Sequence, residues 1–342
     1  MKVIFAADIH LRETVWVKHP LIKGDSFDAF SQLCKYAVEY SKKDKTILIL
    51  GGDIFDSIFP SGESEKAFLE GIKLLEGKVQ VLFIEGNHDK EATARPLLWG
   101  CTKLSETPTV IDGVSFVGIN YTRNKEQLQE TLSNIAACDF LILHSPFKHL
   151  LGFAGKWQLE YEDIPPQVGK VLVGDIHIHS TYKNIYSPGS LSVNGISEFE
   201  TEHGFFVFDT TADTVEHVSI TTRHFKTVYW PITTSDLPKV DKGPIPVINI
   251  VFTTDSTSEV DSFIESNKEY YFIKNARSIA DTSFDVDSAI MQTKEEVLSS
   301  SVNKFLGSDP TALIIAVDML LNKDKPEEVL AKAFKEYIDA PN

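Results

Sequence analysis

Five short peptides in this chain place metal-ligating side chains directly after apolar runs. They are Asp8-Ile9-His10, Gly51-Gly52-Asp53, Gly86-Asn87-His88-Asp89, His144 and Gly174-Asp175-Ile176-His177. Singly, most are weak signals: Asp-x-His is common, and Gly-Asp after a strand is an ordinary turn. Gly-Asn-His-Asp is more informative, because an amide oxygen beside an imidazole has few packing uses. Carboxylates, an amide oxygen and imidazoles without a thiolate suit Mn²⁺, Fe or Zn²⁺, with Mn²⁺ favoured where oxygen donors dominate. Two such cations, about 3.5–4 Å apart, can clamp a phosphate, acidify a water and stabilise a leaving oxygen. One carboxylate must bridge them, and Asp53 is the natural candidate. His88 is then placed to act as general acid for the departing alkoxide, with Asp89 to orient it. The chemistry implied is phosphoester hydrolysis.

Such a site needs elements that bring five loops to one edge. The runs Lys2–Ala7, Thr46–Leu50, Val79–Ile84, Val114–Ile119, Phe140–Leu143 and Lys170–Val173 are rich in Val, Ile, Leu and Phe, as buried strands are. Between them Phe27–Ser41, Glu63–Leu75 and Lys125–Ala136 carry apolar residues at helical spacing. The alternation predicts an α/β sandwich of sheet layers with flanking helices. Loops at the carboxyl ends of its strands would share a crevice. Hairpin patterns follow at Ile185-Tyr186, Gly204–Phe208 and Thr214–Ile220. Near residue 225 the pattern becomes strand–helix–strand, over Val247–Phe252, Glu259–Glu265 and Tyr270–Lys274. From Thr293 onward the chain reads as helical, with Thr311–Asn322 and Glu327–Ile338 as its last two helices.

The net charge of −16 argues against a free-standing nucleic-acid binder, which usually shows a basic footprint. It argues less against a metal enzyme, whose site carboxylates are offset by bound cations. Cys34, Cys101 and Cys138 are scattered, as buried small residues in a reducing cytoplasm are. The first residues are too short and too soon acidic for a signal peptide. No apolar stretch of about 18 residues predicts a membrane span.

The constellation Asp8-x-His10, Gly52-Asp53, Gly86-Asn87-His88-Asp89, His144 and Gly174-x-x-His177 resembles the signature of calcineurin-like metallophosphoesterases. Within that superfamily it is most similar to SbcD-type nuclease subunits, including the recombination endonuclease subunits of large bacteriophages. Gly52-Asp53-Ile54-Phe55, Tyr186-Ser187-Pro188-Gly189-Ser190 and Gly204-Phe205-Phe206-Val207-Phe208-Asp209 look like local motifs of those nucleases. The Arg-Gly pair of the superfamily's protein phosphatases is missing. The motifs cover residues 1–225. The resemblance implies one cation held by Asp8, His10, Asp53 and His177, and a second held by Asp53, Asn87, His144 and Asp175. Two positions depart from the pattern. Asp175 stands where the family usually has histidine, with His179 as an alternative ligand to His177. Asp56 stands where many cellular members have a further histidine. The remaining histidines, His19, His149, His203, His217 and His224, are read as surface or packed residues.

The resemblance also implies an organisation: a nuclease domain over 1–224, a small α/β capping domain over 225–290, and C-terminal helices over 291–342. Those helices would dock on an SbcC-like ABC-type ATPase. Two apolar stripes, Leu313, Ile314, Val317, Leu320 and Leu321, then Val329, Leu330, Ala333, Phe334 and Tyr337, could serve that contact or pack on their own domain. Dimerisation could use Phe27–Tyr40 or Glu63–Leu75, which core packing explains equally well. The expectation is therefore a manganese-dependent DNA exonuclease and single-strand endonuclease of the bacterial or phage-infected cytoplasm, working in repair or recombination. The alternatives are a small-molecule or nucleotide phosphoesterase with the same site, and a non-catalytic scaffold, which the intact Asn87-His88-Asp89 opposes.

Overall fold

Hydrophobic alternation along the first strands decides the architecture. In β1 (Lys2–Ala6), Val3 and Phe5 face one way while Ile4 and Ala6 face the other, and all four are fully buried. A strand buried on both faces needs a layer on each side. In the computed structural model, which describes residues 1–16, 19, 21–89, 99–151, 158–240 and 243–277, β1 lies inside such a stack. It pairs in parallel with β2 (Thr46–Gly51), which pairs in parallel with β3 (Gln80–Ile84), and β3 with the short β4 (Thr102–Lys103). On the other side β1 runs antiparallel to β11 (Gly204–Asp209), which forms a hairpin with β12 (Thr214–Ser219).

A second six-stranded sheet is ordered β5 (Thr109–Ile111), β6 (Val114–Ile119), β7 (Cys138–His144), β8 (Val168–Gly174), β10 (Ile185–Ser187) and β9 (Ser180–Tyr182). Phe5, Ile49 and Phe208 of the first sheet and Phe116, Phe140 and Leu172 of the second fill the space between them. The outer face of the first sheet is covered by α1 (Asp25–Ser41) and α2 (Gly62–Leu75), where Phe30 stacks on Phe68. The outer face of the second is covered by α3 (Lys125–Ser133) through Leu128 and Leu132. That helix ends three residues before the expected Ala136, because the Asn134 amide turns back to donate to the Glu130 carbonyl. The expected α/β sandwich is the fold.

A three-stranded parallel sheet follows, β13 (Phe225–Tyr229), β14 (Val247–Thr253) and β15 (Tyr271–Arg277), with α4 (Thr257–Ser266) crossing between the last two. The strand–helix–strand expectation covered β14, α4 and β15 and missed β13. The small sheet meets the sandwich through Phe225 and Val247, packed with Ile22, Val193 and Phe199. Arg223 reinforces the joint, donating from Nε to Asp25 at the start of α1 and from a terminal nitrogen to the Ile245 carbonyl. Residues Met1–Ile279 form one compact unit. The expected helices 311–322 and 327–338 lie outside the described residues. Among the described residues no helix is long and apolar enough to cross a membrane.

Candidate metal centre

The five peptides do meet at one edge, where the parallel strands of both sheets end. The loops after β1 and β2 run side by side: the amides of Asp8, His10 and Leu11 donate to the carbonyls of Gly52, Asp53 and Ile54. This pairing sets Asp8 and His10 against Asp53. Asp8, His10, Asp53 and Asp175 all have positive φ, between 46° and 78°. Non-glycine residues rarely adopt that region, and such strain concentrates at functional sites. Gly86 and Gly52 permit the crowding. A methyl group on Gly86 would fall on the Asp53 carboxylate and backbone, and one on Gly52 would sit 2.5 Å from His144 Nδ1.

The imidazoles share one arrangement: the Nδ1 side is held from outside and Nε2 points inward. His144 Nδ1 donates to the Gly51 carbonyl at 2.8 Å, and His177 Nδ1 lies 2.8 Å from Glu198 Oε1. His10 Nδ1 lies 3.2 Å from Asp56 Oδ1; the approach is bent, yet no other group among the described residues serves this buried nitrogen. Inside, His144 Nε2 is 3.5 Å from Asp53, 3.8 Å from Asp175, 3.9 Å from Asp8 and 3.1 Å from Asn87 Oδ1. His10 Nε2 and His177 Nε2 face each other at 3.3 Å. The Asp175 amide donates to both oxygens of Asp8 at 3.0 Å, joining the last loop to the first.

Buried imidazoles should lose their protons, but here the carboxylates prevail. Burial lowers the pKa of His144, and the hydrogen bond to Asp53 with the charges of Asp8 and Asp175 then carries it to about 10. His177 is likewise carried past the effect of burial to about 9, by Glu198 and Asp8. Burial pushes Asp175 up to about 6 against the pull of His144. Burial also opposes charge on Asp53, which His144 and His10 nevertheless hold down at about 2. The cage thus draws positive charge onto its inward nitrogens, and a divalent cation satisfies that demand as well as protons do. Ligand atoms of Asp8, His10 and His177 lie within 4.8 Å of one another, as do those of Asp8, Asp53 and His144. The two groups share Asp8, and Asp53 Oδ2 also reaches both, 3.7 Å from His10 Nε2 and 3.5 Å from His144 Nε2; with Asn87 and Asp175 at the margin, the set fits a pair of cations in donor type.

The geometry gives the directions of two pairs of neighbouring side chains. His88 is not oriented by Asp89. Its Nδ1 lies 2.7 Å from the Asp56 main-chain carbonyl, and its backbone amide donates to Asp53. Asp89 is buried and accepts from the amides of Ile54, Phe55 and Gly86, so its carboxylate fixes the loop backbones instead. His177 enters the cage, whereas His179 leaves it: its ring stacks on His217 at 3.8 Å with Glu202 beside both. Glu198, buried and also bonded by Ser190 Oγ and the Asn194 amide, was missed. It ends a single 3₁₀ turn, Ile196–Glu198, 21 residues after His177, with no local motif to mark it.

Residues 1–215 match the calcineurin-like phosphoesterase family, and this chain belongs to it. It is 27% identical over 198 residues to the DNA double-strand break repair protein Mre11 of Sulfurisphaera tokodaii, covering 53% of this chain and 50% of that one. The protein of the same name from Saccharolobus solfataricus is 26% identical over 208 residues, covering 56% and 52%. The chain thus spans about half the length of the curated relatives it matches. Among solved structures, the calcineurin-like phosphoesterase YfkN from Bacillus subtilis superposes with a TM-score of 0.36 and 12% identity, over 64% of this chain and 88% of that one.

Proposed function

We propose that this chain is the nuclease subunit of a DNA repair or recombination complex, hydrolysing DNA phosphodiesters with two divalent cations, manganese foremost. The observation that carries the reading is the convergence of inward-facing nitrogens and carboxylates from both sheets, with a half-exposed imidazole beside them. The Mre11 relatives support DNA as the substrate class.

Asp8, His10, Asp53 and His177 would hold one cation, and Asp53, Asn87, His144 and Asp175 the other. When bound, the pair supplies charge for the phosphoryl oxygens and a more acidic water. The chain's own residues do the rest. His88 has a side chain 40% exposed, with Nε2 4.0 Å from Asp53 Oδ2, so it borders the cage and remains open to substrate. The Asp56 carbonyl can only accept, so His88 Nδ1 keeps its hydrogen, and a proton passed to the substrate would leave from Nε2. As a water oxygen bonds to phosphorus and gives up a proton to solvent, the bond to the 3′ oxygen breaks and that oxygen would take the His88 proton, which solvent then restores. Asp89 ties the loop that carries Asp53 to the loop that carries Gly86 and His88.

Residues 225–290 would cap the substrate path, and the helices within 291–342 would bind an SbcC-like ABC-type ATPase. Loss of co-purification with that ATPase on deleting residues 310–342 tests the latter. The net charge of −16 favours a second reading, a nucleotide or small-molecule phosphoesterase. Labelled duplex and single-stranded DNA, incubated with Mn²⁺ with and without the ATPase, separate the two. Degradation of DNA supports the nuclease, while turnover of nucleotides with DNA untouched would overturn it.

A further inference from the structure

Outside the cage, a path of side chains and one main-chain amide joins the two imidazoles that face each other within it. His10 Nδ1 approaches Asp56, and Asp56 accepts from one terminal nitrogen of Arg12. The other terminal nitrogen of Arg12 donates to Asn194 Oδ1 at 2.5 Å. The Asn194 main-chain amide donates to Glu198 Oε2 at 2.9 Å, and Glu198 Oε1 meets His177 Nδ1 at 2.8 Å. With His10 Nε2 and His177 Nε2 3.3 Å apart, the path closes into a ring. Arg12 stands midway between the two carboxylates.

We infer that Arg12 is a positioning residue that sets the affinity of one cation, the one held by Asp8, His10 and His177, by bracing the outer carboxylates of both imidazoles through Asp56 and Asn194. The inference rests on the metal-centre reading. Three physical points carry it. A carboxylate at the outer nitrogen of a ligand histidine, hydrogen-bonded as Glu198 is to His177 or in ionic contact as Asp56 is with His10, steadies its direction, and losing such a partner typically costs 10- to 100-fold in metal affinity. Asp56 is an anion beside the cation site, and Arg12 supplies it with an opposing charge on its outer side. The guanidinium has two arms in one plane, so it spans Asp56 and Asn194 together, which a lysine ammonium on a flexible stem does not reproduce. His144 stands apart from the ring, because the Gly51 carbonyl fixes its outer nitrogen. The second cation should therefore be indifferent to Arg12.

The test is manganese binding to the full-length chain, followed by calorimetry and by electron paramagnetic resonance of free Mn²⁺, with no nucleic acid present. Arg12→Ala should weaken one of the two affinities 10- to 100-fold and leave the other within threefold. Arg12→Lys should recover little of the loss. Combining Arg12→Ala with Glu198→Gln should weaken binding by less than the product of the single effects, since both cut the same ring. Asn194→Ala breaks the ring without removing a charge and should reproduce the selective loss, which guards against an Arg12 variant that folds poorly. Unchanged affinities in Arg12→Ala and Asn194→Ala, equal loss at both sites, or full recovery by Arg12→Lys would overturn the inference while leaving the phosphoesterase reading intact. A wild-type chain that binds no manganese would overturn both.

Discussion

Gly86→Ala adds one methyl group and strikes the candidate bridging ligand. The new carbon would lie 2.8 Å from Asp53 Cγ and closer still to its carboxylate oxygen and main-chain nitrogen. That is about 0.6 Å short of ordinary contact at Cγ. Asp53 has little room to yield, since its backbone is held by the His10 amide and its carboxylate by the His88 amide, so relieving the clash must break one of these bonds and turn the carboxylate. Overpacking of this kind costs about 1–3 kcal/mol of stability. A displacement approaching 1 Å at a reacting centre costs on the order of 100-fold in rate. The expected result is a 10- to 100-fold fall in kcat/KM for manganese-dependent hydrolysis of bis(p-nitrophenyl) phosphate, with a lower thermal midpoint. Gly62→Ala is the control, because a methyl there meets nothing within 4 Å. Activity and manganese affinity within threefold of wild type in Gly86→Ala would refute the reasoning from crowding at Asp53.

Three further expectations can be checked alongside. His88→Ala should slow cleavage of DNA, whose leaving group is an alkoxide, by about 10²–10⁴-fold; a p-nitrophenolate ester should suffer far less, and equal losses on both would remove His88 as the acid. Because pKa values near 10 and 9 keep His144 and His177 protonated at pH 7.5, manganese binding there should release protons from both. The release should shrink as pH rises past 9, and a calorimetric enthalpy that ignores the buffer's ionisation enthalpy would contradict this. Asp89→Ala strands the amides of Ile54, Phe55 and Gly86 and should cost at least about 3 kcal/mol, seen as a lower urea midpoint.

The centre was legible where residue type and strand position coincide. Asp8, His10, Asp53, Asn87, His144, Asp175 and His177 each follow an apolar run, and parallel pairing delivers such positions to one edge. What sequence spacing does not carry is direction. Asp89 follows His88 in the chain, but its buried side chain turns toward backbone amides of another loop. His177 and His179 both follow β8, and only the three-dimensional path separates the one in the cage from the one stacked on His217. Glu198 and the Arg12–Asn194 bridge were invisible, because their partners lie 21 and 182 positions away with no motif between. Strand β13 was missed because Phe225-Lys226-Thr227-Val228-Tyr229 is short and half polar, and its burial comes from the neighbouring β14.

The centre straddles a seam. Asp8, His10, Asp53 and Asn87 are supplied by one sheet, and His144, Asp175 and His177 by the other. Ions seated there would act as rivets between the two leaves of the sandwich, so their binding energy would also be folding energy. Chelation would then do more than silence the enzyme: it would loosen the edge at which substrate enters, making metal supply a control over the shape of the mouth as well as over the chemistry inside it.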